Sequence, residues 1–301
     1  MLLDTASLYF RAFFGVPGTM RAPDGSPINA VRGLLDFIAT LVGRYSPTNL
    51  VACWDDDWRP AWRVKLIPSY KGHRVAYTVS TGPDVEETPD ELDVQVPVIR
   101  EVLAALGIAV VGAPGCEADD VIGTLATQAT GPVDVVTGDR DLFQLVDDEQ
   151  SVRILYIARG VGKLEIVDEA VVVKKYGVTG HQYADFATLR GDTSDGLPGV
   201  PGVGDKTAAS MIQKYGELEG IVAAAADEGS SLSPSLRLKI RDSVDYLGKA
   251  REVVRVLTDA KLHEVDSTRP AEPADPDRWA ELVERLGLGS SATRVTEALA
   301  G

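Results

Sequence analysis

The chain has 301 residues, 45% hydrophobic and 25% charged, the make-up of an ordinary globular protein with one large domain or two smaller ones. No apolar run reaches the roughly 18 residues of a membrane span, and Met1-Leu2-Leu3-Asp4 has no basic segment before its apolar residues, so neither an anchor nor a signal peptide is expected. Cys53 and Cys116 are too few for a disulfide framework and fit a reducing cytoplasm; His73, His181 and His263 are too scattered for a zinc site; and a net charge of −15 argues against any uniformly basic surface.

In chain order, residues 2–4 predict a short buried strand ending in Asp4, followed by a helix over 7–14. The Gly- and Pro-rich stretch 17–27 is loop. Val31, Leu34, Leu35, Ile38, Leu41 and Val42 fall at helical spacing and predict a helix over 29–45. A second buried strand, 49–54, again ends in an aspartate, Asp55. Residues 58–77 are the most basic and aromatic part of this acidic chain, and 78–89 carry too little apolar content for a fixed element. A helix over 91–106, a strand over 108–111, a helix over 117–128, a strand over 133–136, a short helix over 142–146 and a strand over 152–157 follow. Strand and helix thus alternate through the first half, predicting an α/β fold with a mostly parallel central sheet flanked by helices. From 167 the pattern turns helical (168–176, 182–190, 207–215, 236–240, 244–257 and 277–286), with 267–276 reading as a linker.

Asp4, Asp55, Asp139 and Asp141 follow predicted strands, Glu117, Asp119 and Asp120 open the predicted helix at 117, and Asp192 and Asp195 lie in the loop at 191–204. In a parallel sheet the C-terminal strand ends share one edge, where ligand crevices lie. Carboxylates gathered there repel one another and lose hydration. Hard divalent cations held through oxygen relieve both costs. Two such ions suit in-line displacement at a phosphodiester, and no Ser-His-Asp order competes with that chemistry.

The loop Gly199-Val200-Pro201-Gly202-Val203-Gly204 leads into Asp205-Lys206-Thr207 and a helix. Asp205 between Gly204 and Lys206 excludes a nucleotide P-loop, and no strand precedes the glycines as a dinucleotide fingerprint requires. A helix–hairpin–helix turn gripping a phosphodiester backbone remains, with Gly199, Val200, Gly202, Val203, Gly204, Lys206 and Thr207 as its candidate contacts. In the basic-aromatic stretch, Lys71 and Arg74 suit phosphates, and Tyr70 suits stacking on a base.

Gly-Cys-Glu-Ala-Asp-Asp-Val-Ile-Gly at 115–123, Thr-Gly-Asp-Arg-Asp-Leu-Phe-Gln-Leu at 137–145, Ser-Tyr-Lys-Gly-His-Arg at 69–74 and the run at 191–208 closely resemble the bacterial 5′-3′ exonuclease and flap endonuclease family, which includes the N-terminal domain of DNA polymerase I. The resemblance spans residues 2 to about 257. It implies cleavage of DNA at 5′ flaps and 5′ ends at nicks, in replication and repair, with two or more Mg²⁺ or Mn²⁺ ions. Glu117 and Asp119 would join Asp4 and Asp55 at one metal, and Asp139, Asp141, Asp192 and Asp195 would serve others. Asp120 has no assigned place. Lys71 and Arg74 would act catalytically on the scissile phosphate. A helical arch would follow Arg74, and the glycine turn would hold duplex, with K⁺ on its backbone carbonyls. Residues 1–166 would form the nuclease core, with a basic arch region at about 68–100. Residues 167–301 would form the helical part, with the helix–hairpin–helix at about 182–216. The segment Trp54-Asp55-Asp56-Asp57-Trp58 departs from the family by extra acidity and one residue of length, leaving Asp56 as a rival to Asp55. A monomer is expected, as a stand-alone enzyme or an excised domain. The competing readings are a non-catalytic DNA clamp and a metal-dependent ribonuclease of related fold.

Overall fold

The computed structural model describes residues 1–79 and 82–301. In chain order the elements are β1 (Leu2–Asp4), α1 (Thr5–Gly15), α2 (Asn29–Tyr45), β2 (Val51–Cys53), α3 (Ala61–Leu66), β3 (Val75–Tyr77), β4 (Val85–Glu86), α4 (Asp90–Asp93), α5 (Val96–Leu106), β5 (Ala109–Val111), α6 (Ala118–Gln128), β6 (Val133–Thr137), β7 (Val152–Tyr156) and β8 (Glu165–Val167). The helices α7 (Glu169–Tyr176), α8 (Gly180–Arg190), α9 (Asp205–Tyr215), α10 (Leu218–Ala226), α11 (Pro234–Asp242), α12 (Val244–Val254), α13 (Pro276–Leu286) and α14 (Ser290–Ala300) follow.

Six strands form one sheet in the order β5-β2-β1-β6-β7-β8, parallel throughout except for the antiparallel edge strand β8. The chain runs outward from β1 through β2 to β5, then returns to β6 on the other side of β1. That reversal opens a crevice beyond the C-terminal ends of β1 and β6. Leu2, Leu3, Val51, Ala52, Val135 and Val136 are all buried, so apart from the half-buried Asp134 the central strands are apolar on both sides, as a sheet covered on both faces demands.

The core is divided by the sheet and not by the halves of the chain. On one face Leu3, Leu35 and Ile38 pack with Ile99 and Leu103 of α5, Trp279 and Leu282 of α13 and Val295 of α14. On the other, Val135, Ile154 and Val121 are continuous with Phe143, Tyr183, Phe186, Ile212, Ile240 and Leu247. The helical region from α7 to α12 therefore shares its core with the sheet, and α13 and α14 return to the opposite face, across a boundary drawn at 166/167. The run at 267–276, which reads as a linker, is docked along the sheet edge. There Leu50 N donates to Ser267 O (2.8 Å), Arg269 N to Thr48 O (2.9 Å) and Asp275 N to Ala105 O (3.1 Å).

Two local expectations are corrected. The single helix over 91–106 is broken into α4 and α5 because Pro97 has no N–H to continue the ladder, although it sits well in the first turn of α5. Gln95 fills the break, its side chain accepting from Ala30 N (2.8 Å) and donating to Asn29 Oδ1 (3.0 Å). The helical arch expected over about 68–100 is helical from Asp90 on, in α4 and the start of α5, but between Arg74 and Pro89 no helix occurs among the described residues. Instead β3 and β4 form a two-stranded antiparallel ribbon. The expected mobile segment 78–89 contains Ser80 and Thr81, which lie outside the described residues. Its base is fixed to the core: Trp58 Nε1 donates to Asp84 O (2.6 Å), and Arg59 pairs with the Asp84 carboxylate (2.5 Å).

Candidate active site

A cleft of about 520 Å³ opens at the crevice, lined by Asp4, Asp55, Glu86, Glu117, Asp119, Asp139, Asp192, Lys71, Arg74 and Arg140. Local structure delivers each acid. Asp4 ends β1 and caps α1, accepting from Ser7 N (3.0 Å) and from Thr137 Oγ1 (2.6 Å) on the neighbouring strand. Asp55 follows β2 and accepts from Ala118 N (2.8 Å) at the start of α6. Glu117 caps α6, and Asp119 lies in its first turn. Asp139 follows β6, and its Oδ1 accepts from Asp141 N (2.8 Å). From the helical region, Asp192 accepts from Ser194 N (2.8 Å), and Asp195 pairs with Arg74 at 3.0 Å. Asp141 and Asp195 face a narrow slot that Glu117 and Asp119 also line, so the two acidic groups are continuous.

Few cations offset this charge, and the proton affinities of the acids record it. Burial raises Asp4 to about 7, against the hydrogen bonds from Thr137 and Ser7 and with Asp55 and Asp139 adding to the rise. Burial, then the nearness of Asp139 and Asp4, holds Asp119 well above the usual carboxylate range, and burial with Asp139 and Asp195 does the same to Asp141. Asp55 is raised by burial against the pull of the Ala118 amide and Lys71, and burial lifts Asp195 to about 6 although Lys71 opposes it. Asp141 Oδ1 is buried without a hydrogen-bond partner. Among the described residues no three ligating side chains close into one knot. This all-oxygen donor set, with an orphaned buried oxygen, fits hard divalent cations.

The expected site residues are distributed unevenly. Asp56 is exposed and turns to Arg100 (4.0 Å), away from the cleft, so Asp55 is the acid that the crevice receives. Asp120 is outside the cleft altogether. It is fully buried, forked onto Arg63 at 2.7 and 2.8 Å, and accepts from Glu117 N (3.1 Å) in a reciprocal cap of α6. Tyr70 is 4% exposed and its hydroxyl donates to Glu117 Oε1 (2.7 Å), so its ring has no free face for a base. Lys71 reaches the cleft wall with its ammonium on Glu117 Oε2, from a left-handed backbone (φ 47°) that its amide bond to Asp195 O (2.9 Å) helps to hold.

The glycine loop joins α8 to α9. Gly202 (φ 75°) and Gly204 are exposed, as is Lys206, and Thr207 is half-buried. Gly199, Val200 and Val203 are buried, which removes them as direct contacts. The valines anchor the turn from within, Val200 N donating to Leu189 O (2.9 Å) and Val203 N to Val200 O (2.9 Å), while Gly199 N is taken by the Tyr246 hydroxyl (2.9 Å). Gly204 caps α9 without a side-chain hydrogen bond, leaving amides of its first turn directed outward.

Residues 1–177 match the family model for the 5′-3′ exonuclease N-terminal resolvase-like domain, and residues 178–277 match that for its C-terminal SAM fold. The chain belongs to the 5′-3′ exonuclease family. A 5′-3′ exonuclease of Streptomyces coelicolor is 58% identical over 99% of both chains, and one of Mycobacterium tuberculosis is 52% identical over 99% of this chain and 97% of its own. DNA polymerase I of Mycobacterium bovis is 40% identical over the whole of this chain, which spans 32% of that polymerase. Among solved structures, T5 5′-exonuclease with zinc bound has a TM-score of 0.64 at 16% identity, over 99% of this chain and 97% of its own. The catalytic core of Rad2 in complex with DNA substrate has 0.58 at 17%, over 99% and 90%. At these identities the likeness is one of fold.

Within this 5′-3′ exonuclease fold, two cleft residues and one buried behind the cleft escape sequence reasoning. Glu86 enters from β4, a strand too short to carry a periodic signal. Phe10, on an α1 face that reads as core, lines the acidic cleft and two clefts beside it. Arg63 looks like one more base in a basic stretch, yet it is buried against Glu117 and Asp120. A cation three residues before Leu66 was the available hint, and it does not separate a buried pair from a solvated side chain.

Proposed function

We propose that the chain is a divalent-metal-dependent 5′ flap endonuclease and 5′-3′ exonuclease acting on branched or nicked DNA in replication and repair. The observation that carries this reading is the concentration of under-neutralised carboxylates, among them Asp4, Asp119 and Asp141, beside the cations of Lys71 and Arg74. In the proposed site Asp4, Asp55, Glu117 and Asp119 hold one Mg²⁺ or Mn²⁺, and Asp139, Asp141, Asp192 and Asp195 serve a second. Bound there, such ions supply charge stabilisation for in-line displacement at phosphorus. Lys71 and Arg74 receive the scissile phosphate and orient it. Water adds to phosphorus as the bond to the 3′ oxygen breaks, leaving a 5′-phosphate and a 3′-hydroxyl. Phe10 offers the flanking base the aromatic face that Tyr70 lacks.

Gly202, Gly204, Lys206 and Thr207 form the proposed grip on duplex backbone, with K⁺ on the carbonyls of the turn. The protein acts as a monomer, and the free, buried Cys53 and Cys116 suit a reducing cytoplasm. The test is a 5′-labelled flap, made with a DNA or an RNA arm, incubated with Mg²⁺, Mn²⁺ or chelator. Metal-dependent cleavage of the DNA arm is expected, lost in Asp141→Asn with flap binding kept. Binding without cleavage under any divalent ion would favour a clamp, and exclusive cleavage of the RNA arm a ribonuclease.

A further inference from the structure

Glu117 does more in this fold than present an acid to the cleft. Both of its oxygens are occupied: Oε1 accepts from Tyr70 OH (2.7 Å) and Arg63 Nη1 (3.1 Å), and Oε2 accepts from Lys71 Nζ. Arg63 is itself 2% exposed, lies against the Trp62 ring (4.5 Å), and forks onto both oxygens of Asp120. Its Nε donates to Val253 O (3.1 Å) at the end of α12, and Asp120 Oδ1 accepts from Leu257 N (2.9 Å) just beyond. One guanidinium thus joins α3, the N-terminus of α6 and the tail of α12.

We infer that Arg63 is a positioning residue for the reaction. By neutralising Asp120 it leaves Glu117 free to pair with Lys71, and by gripping Glu117 Oε1 it aims Oε2, and with it the Lys71 ammonium, at the cleft. Without Arg63, two buried carboxylates would compete for one lysine, and Lys71 would be drawn away from the cleft wall. Lysine at position 63 would keep the charge but not the planar fork that spans both carboxylates. Because the fork also holds the α12 carbonyl, the alignment of Lys71 depends on the seating of the helical region that carries the glycine turn. The inference rests on the nuclease reading above.

The experiment is a double-mutant cycle read by single-turnover cleavage of a 5′-labelled DNA flap in Mg²⁺, with flap affinity measured separately in Ca²⁺. Arg63→Lys is expected to slow the cleavage step about 100-fold, the cost of a misplaced reacting group, with affinity unchanged. In a Lys71→Met background the same substitution should change the rate by less than about twofold, because its effect passes through Lys71. Tyr70→Phe removes one donor from the same carboxylate while keeping the ring, and covers the case in which Arg63→Lys does not fold. Its expected loss is about tenfold, again absent once Lys71 is gone. Losses that multiply with Lys71→Met, or wild-type cleavage in either variant, overturn the inference while the nuclease reading stands. A wild-type protein that binds the flap and never cuts it overturns that reading and this inference together.

Discussion

Metal binding by this protein should depend steeply on pH. With Asp4 raised to about 7 and Asp195 to about 6 by burial, both are largely protonated at pH 5 and ionised at pH 8. A divalent ion needs the carboxylates, so at pH 5 it must displace both protons. Displacing the proton from Asp4 weakens affinity about 100-fold and from Asp195 about tenfold, together about 4 kcal/mol. Stability without metal runs the other way. The folded pKa values exceed the ordinary 3.8, so between about pH 4 and pH 7 the folded chain holds protons that the unfolded chain has lost, and stability falls as pH rises through that window. Mn²⁺ should therefore raise the melting temperature more at pH 8 than at pH 5. Calorimetric titration with Mn²⁺ in buffers of differing ionisation heat measures affinity and proton release together. Equal affinity at pH 5 and pH 8, with no buffer-dependent heat near pH 6, would refute the claim that burial keeps these acids protonated into the neutral range.

Three further outcomes follow from the geometry. Asp55→Asn should lower flap cleavage at least about 100-fold, whereas Asp56→Asn, on an exposed side chain beside Arg100, should stay within about twofold, the range of ordinary surface changes; rate assays on the pair check this, and the reverse ranking would reassign the ligand. Gly199→Ala places a Cβ 2.4 Å from Arg190 O at a φ of 67°, so it should cost on the order of 1–3 kcal/mol and loosen duplex binding, while Gly204→Ala meets nothing within 4 Å and should melt like wild type. Arg251→Leu removes the fork that grips the buried Asp185 at 2.7 and 3.1 Å and leaves it the Leu218 amide (2.9 Å) and the more distant Arg255 (3.6 Å), so urea unfolding should show a loss of about 1.5–3 kcal/mol; a loss under about 1 kcal/mol would mean that Arg255 closes onto Asp185 in its place.

Most of the sheet was legible because its signals are local. Short β-branched stretches such as Val133 to Val136, with an acid soon after the end, mark a buried parallel strand and the edge on which it ends. Parallel topology then brings Asp4, Asp55, Asp119 and Asp139 to one crevice without further information. The ribbon at 75–77 and 85–86 was illegible, since two short strands carry no periodicity and are held through Trp58 and Arg59. Nor does the run at 267–276 announce that it docks on a sheet edge supplied more than two hundred residues earlier.

What the amino-acid order determined by itself was which residues could do chemistry, and roughly where the chain would set them. Only tertiary structure decided what each one does. Asp119 and Asp120 are neighbours with the same side chain, but successive residues on a helix point about a quarter-turn apart. One faces the cleft, where burial and the nearby Asp139 and Asp4 raise its proton affinity, and the other meets Arg63 and is paired with it. Tyr70 and Phe10 sit where the sequence does not place them for a similar reason: a hydroxyl bonded to Glu117 goes with a buried ring, and a ring without one lines the cleft wall. Charge and exposure depend on which groups lie within a few ångströms, and those come from segments far apart in sequence.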